Sequence, residues 1–257
     1  MISTTSMIMQ ILAILISVAF PVALILYFRR RGGLSWKAVA FGALVWFLFS
    51  QVLEKGLHLY MFQFNGTTAE WLKQPLFYAL YGGLAAGIFE EVGRYVAFRY
   101  WLKDRRERLD GISFGIGHGG LEAILIALTL GVSNLVYMNL LNAGTFDTTL
   151  GSQVPAETVA QIKSSLLDSS PLLHLLGGFE RIAALFLHIA FSLIVLLGVR
   201  SGRISYLFCA ILLHAGVDIV AAYATAAKWN LYLLEAILFV FGAVAFWYIG
   251  RTKRLFH

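Results

Sequence analysis

Seven apolar stretches, each long enough to cross a bilayer, leave this chain few ways to fold. A span needs roughly 20 apolar residues to cover about 30 Å of hydrocarbon. Residues 7–28, 38–62, 75–102, 112–141, 171–199, 204–226 and 231–249 meet that demand in turn. Lipid offers backbone groups no hydrogen-bond partners, so segments of this kind become helices. The expected fold is all-α: one transmembrane helical domain over residues 1–257, polytopic, with about seven transmembrane helices. At 59% hydrophobic and 13% charged, the 257 residues leave no room for a separate soluble domain. The first stretch has no basic residue ahead of it and Arg29, Arg30 and Arg31 behind it. That is the reverse of a cleavable signal peptide, and the stretch is expected to remain in place.

The net charge of +6 does not point to nucleic acid, because the basic residues lie in short clusters between apolar runs. There they set topology. One set of alternate loops holds 13 Lys and Arg, among them Lys37, Arg105, Arg203 and Lys253; the other holds only Lys55, Lys73, Lys163 and Lys228. The asymmetry predicts an N-terminus outside and a C-terminus in the cytoplasm of a multi-pass cell membrane protein. Cys209, the single cysteine, excludes an internal disulfide and a cysteine-based zinc cage. In the long connection 142–170, Val159, Ile162, Leu166 and Leu167 are spaced for one face of a short helix. It is expected to rest on headgroups, with a lid over a membrane cavity as the alternative. Gly83 with Gly87, and Gly115 with Gly119, have the four-residue spacing of closely packed membrane helices.

Against this background stands Phe89-Glu90-Glu91-Val92-Gly93-Arg94, set inside an apolar run. A charged side chain at the centre of a membrane helix costs about 3 kcal/mol on insertion scales, so the cluster demands partners within the protein. Later runs carry His118 and Glu122, then Glu180, Arg181 and His188, then His214 and Asp218. Glu90 precedes Lys103 by 13 residues, His118 follows Arg108 by 10, His188 precedes Arg200 by 12 and His214 follows Arg203 by 11. At about 1.5 Å per residue all four lie roughly 15–20 Å from the cytoplasmic basic clusters. Glu90 and Arg94, His118 and Glu122, and His214 and Asp218 are i,i+4 pairs, so each helix turns one polar stripe to a common interior. The candidate catalytic core therefore covers about 75–226.

Three imidazoles and several carboxylates in a dry pocket suit hydrolysis by one of two routes. His118, His188 and His214 form a nitrogen set for a divalent metal such as Zn2+, with Glu90 or Glu91 as general base. Without metal, carboxylate and imidazole activate water, and histidine donors stabilise an oxyanion. Arg94 serves as a charge clamp, while Asp218 and Glu122 orient histidines. His58, one turn from Glu54, and the adjacent Glu180 and Arg181 also have plain structural readings as neutralising pairs.

Glu90-Glu91-x-x-Arg94, Phe114-x-x-x-His118, His188 and His214-x-x-x-Asp218, in this order, resemble the motifs of the CAAX prenyl endopeptidase and PrsW protease superfamily. The nearest likeness is to its YhfC branch of intramembrane metalloproteases. The resemblance implies peptide-bond hydrolysis within the membrane by a glutamate-activated water, acting on a membrane protein or peptide substrate. Two residues separate Glu91 from Arg94 where prenyl endopeptidases usually have three, and His118 stands where PrsW-type proteins tend to carry an acid. A prenylated substrate is therefore not expected. The rival readings are a proton-coupled transporter, for which midplane His and carboxylate groups also serve, and a non-catalytic membrane scaffold or immunity protein.

Overall fold

A computed structural model describes residues 1–256. Regular structure among them is helical throughout, with no strand. In chain order the helices are α1 (Thr4–Arg30), α2 (Trp36–Phe64), α3 (Gly66–Trp71), α4 (Pro75–Val96), α5 (Arg108–Ala143), α6 (Phe146–Leu150), α7 (Ala156–Asp168), α8 (Pro171–Ser201), α9 (Ser205–Ala226) and α10 (Leu231–Arg251). Six of these, α1, α2, α5, α8, α9 and α10, are long and apolar enough to cross a membrane. The seventh expected span, α4, is not among the six. Its 22 residues rise about 33 Å, enough to cross, but Glu90, Glu91 and Arg94 dilute its apolar character. Ser35 caps α2 by accepting from the Ala38 amide, and Asn65 caps α3 by accepting from that of Thr68. Several helices widen into π-helical turns: α2 over Phe47–Glu54 and Tyr60–Phe64, α5 over Ala127–Gly131, and the continuation of α4 over Ala97–Trp101.

The chain forms two compact units. The first comprises 1–20 and 123–182. In it α7 buries Val159 and Leu166 against Met138, Phe146, Leu150 and Ile2, with Ile162 between them, whereas Leu167 faces outward. Of the face expected for α7, three residues thus pack on protein. The Asn142 side chain pins the chain start, accepting from the Ile2 amide at 2.7 Å and donating to the Ile2 carbonyl at 3.1 Å.

The second unit comprises the rest of the described chain and holds the polar stripes. Here α4 lies along α9, and its glycines explain how closely. A Cβ on Gly83 would stand 2.7 Å from the Ala215 carbonyl oxygen, and one on Gly87 2.8 Å from that of Ile211. Only a residue without a side chain lets the backbones approach this far. Gly115 does the same for α5 against α8, where a Cβ would meet the Ile189 Cα at 2.5 Å. The distribution of side chains inverts that of a soluble protein. Phe208, Leu212 and Phe246 face outward, while Arg94, His118 and Glu91 are among the largest completely buried side chains. An apolar exterior around a charged interior is what a lipid solvent selects.

Candidate active site

Close packing of α4 on α9 and of α5 on α8 brings four polar stripes of the second unit to one place. Glu90, Glu91 and Arg94 project from α4, His118 and Glu122 from α5, His188 from α8, and His214 and Asp218 from α9. Glu90, Glu91, Arg94, His118, His188 and His214 are all buried. Glu90 Oε2 is the hub: His118 Nε2 lies 2.8 Å away, Arg94 Nη2 3.4 Å, His188 Nδ1 3.8 Å and His214 Nε2 3.9 Å. Arg94 Nη1 donates to Glu91 Oε1, and the same oxygen meets His214 Nδ1 at 2.7 Å. Arg94 and the two glutamates share a single helical turn, so the cation they share comes from α4 itself.

Arg94 also fixes a tautomer. A guanidinium only donates, so the 2.7 Å contact from Arg94 Nη2 makes His188 Nδ1 an acceptor. The His188 proton then sits on Nε2, 2.6 Å from Glu122 Oε2. His214 Nε2 faces Asp218 Oδ2 at 3.4 Å, one turn along α9. The spacing of Asp218 therefore leads to the histidine it suggests. That of Glu122 does not: it shares a face with His118, but its carboxylate meets His188 on the neighbouring helix. The rings meet in sequence, His118 tilted against His188 at 5.0 Å and His188 edge-on to His214 at 5.6 Å between centroids.

One residue here escaped sequence reasoning. Phe191 lies nearly parallel to His214, with centroids 4.9 Å apart, and the Arg94 guanidinium sits 6.0 Å from its ring centroid. It is an apolar residue in a largely apolar helix, and the hint of its place is its position three residues after His188, on the same helical face. By contrast, Glu180 and Arg181 fall in the first unit, paired with each other. Glu54 pairs with His58 at 3.3 Å, and His58 Nδ1 lies 2.8 Å from the Tyr81 hydroxyl.

The donor atoms of Glu90, His118, Glu122 and His188 all lie within 4.8 Å of one another. Tetrahedral bonds of about 2.0–2.2 Å place the ligand atoms of an ion such as Zn2+ about 3.3–3.6 Å apart. The set therefore closes on such an ion after side-chain shifts on the order of 1 Å. Two imidazole nitrogens and two carboxylates also match the preferences of a borderline divalent cation. This group has His118 and His188 in common with the three-histidine set read from sequence. His214 stands outside it, engaged by Glu91 and Asp218.

A sequence model of the family described as YhfC intramembrane metalloprotease matches residues 15–239. An uncharacterized membrane protein YhfC of Bacillus subtilis (strain 168) is 38% identical over 257 residues, the full length of both chains. No solved structure matches.

Proposed function

The chain belongs to the YhfC intramembrane metalloprotease family, and from that premise we propose that it is an intramembrane peptidase of the cell membrane, hydrolysing peptide bonds of membrane proteins with a water activated by Glu90. The observation that carries the reading is the hub at Glu90 Oε2, a buried carboxylate oxygen with three imidazoles and one guanidinium within 3.9 Å. A family likeness to CAAX and PrsW proteases, carried by the same residues, is part of the proposal.

A bound divalent metal would be held by His118, by Glu122 and by His188 through Nε2, where it would take the place of the ring proton, and it would supply a Lewis acid. Glu90 takes the proton of the attacking water and passes it to the leaving amide nitrogen. His214, held at Nδ1 by Glu91, exchanges its longer Nε2 contact with Asp218 for the substrate's carbonyl oxygen and donates to it as negative charge builds there. Glu91 and Asp218 hold the His214 ring from two sides. Arg94 holds Glu90 and Glu91 together, so that two neighbouring carboxylates persist in the interior. The cavity for water would open to the cytoplasmic side, where the nearest polar loops lie.

The test is cleavage of a membrane-peptide library by the purified protein beside Glu90→Gln and His214→Ala, with bound metal measured in each. Loss of cleavage in Glu90→Gln, and a large drop in His214→Ala, is expected. Cleavage that survives in both variants would end the peptidase reading.

A further inference from the structure

The first unit contains a cavity of about 370 Å³ that the peptidase reading leaves unused. Its walls come from α1, from α5 at and beyond its π-helical turn Ala127–Gly131, and from the first third of α8. Polar groups line it: the amides of Gln10 and Asn134, the Ser17 hydroxyl, the His174 imidazole, and the ion pair Glu180–Arg181. All lie on helices of membrane-crossing length, where polar side chains are costly and mark ligand or substrate paths. His174 Nε2 is buried and makes no hydrogen bond, an acceptor or donor held ready at the wall. Gly177 keeps the space clear, since a Cβ there would meet nothing within 4 Å. Ile14, Leu130 and Leu173 complete an apolar side.

We infer that this cavity binds the zwitterionic head of a membrane lipid, an ammonium and a phosphate joined as in phosphatidylethanolamine, with the acyl chains running out over the apolar wall. Three features select that chemistry. Glu180 and Arg181 sum to no net charge, so a ligand that is itself neutral overall enters without leaving an uncompensated charge in a medium of low dielectric. Arg181 offers a planar fork suited to phosphate, and the Glu180 carboxylate accepts the N–H groups of a primary ammonium. No Phe, Tyr or Trp is among the described residues lining the cavity, so it has no aromatic cage for the quaternary ammonium of a choline head. Arg181 is 10 residues into α8 from Pro171, about 15 Å along the helix. The head is therefore drawn well below the helix end, deeper than a lipid that merely coats the surface.

The experiment uses the full-length protein in detergent, with short-chain phosphatidylethanolamine, phosphatidylcholine and phosphatidylglycerol of equal acyl length, and bound lipid read by native mass spectrometry. Phosphatidylethanolamine is expected to be retained at a concentration at least tenfold lower than either of the others. Gly177→Leu, which fills the open space, and the neutral double variant Glu180→Gln/Arg181→Gln should each erase that preference. If the double variant does not fold, Gly177→Leu decides alone. Equal retention of the three lipids, or a preference for the anionic one, overturns the inference. So does displacement by soluble glycerophosphoethanolamine as effective as by the lipid, which would make the ligand a free head, or displacement by peptides of the library, which would make it a substrate chain. None of these outcomes depends on peptide cleavage.

Discussion

Each imidazole at the candidate site has a different employment, and the differences make separable predictions. His118 and His188 face Glu90 and Glu122, whereas His214 is held by Glu91 and Asp218. Zinc added to metal-stripped protein should therefore raise the unfolding temperature of wild type and of His214→Ala, but not of His118→Ala or Glu122→Gln. An ion at about 100 times its dissociation constant stabilises a fold by about 2.7 kcal/mol, readily seen by thermal unfolding in detergent. If His214→Ala alone abolished the shift, the three-histidine ligand set would replace the one assigned from geometry. Asp218, the most exposed of the eight residues, meets the buried cluster at His214 and so tests orientation. Asp218→Asn should lower kcat roughly 10- to 100-fold, the usual cost of losing a partner that aligns a histidine, while the unfolding temperature and metal content stay near wild type. An unchanged kcat would remove Asp218 from the positioning role.

The assembly of these residues rests on how near α4 comes to α9. Gly82 and Gly83 are neighbours on α4 with opposite surroundings: a Cβ on Gly82 meets nothing within 4 Å, and one on Gly83 would lie 2.6 Å from Ile219 Cγ1 and 2.7 Å from the Ala215 carbonyl oxygen. Gly82→Ala should therefore be neutral or stabilise by up to about 1 kcal/mol through helix propensity. Gly83→Ala should cost about 1–3 kcal/mol by overpacking, and should depress cleavage because α4 carries the hub. Equal unfolding temperatures for the two variants would show that the α4–α9 contact does not set the site. The π-helical stretch Phe47–Glu54 in α2 itself packs on a glycine, since a Cβ on Gly93 would meet Phe49 Cγ at 2.7 Å. The four-residue glycine spacing in the sequence announces close approach but does not name the partner helix.

For the molecule as a whole, the distribution of Lys and Arg predicts which loops face which compartment. Cys209 can be replaced by serine to give a background for single cysteines at Glu70, in the segment after α2, and Arg105, in the segment after α4, both exposed. A membrane-impermeant thiol reagent on intact cells should label Glu70→Cys and reach Arg105→Cys only after permeabilisation. The reverse pattern would invert the proposed topology. Sequence alone determined the helical class and the level of the polar residues, because hydropathy and a rise of 1.5 Å per residue are properties of each segment taken singly. It also determined which residues share a face, as Glu90 with Arg94 and His214 with Asp218 do. Only the tertiary structure decided which faces meet: Glu122 with His188 in place of His118, His214 with Glu91 outside the metal-ready group, and Phe191 against both His214 and Arg94. Those pairings depend on how each helix is rotated about its axis against its neighbours. That rotation is set by the fit of glycines and side chains between helices, which the periodicity of one helix does not encode.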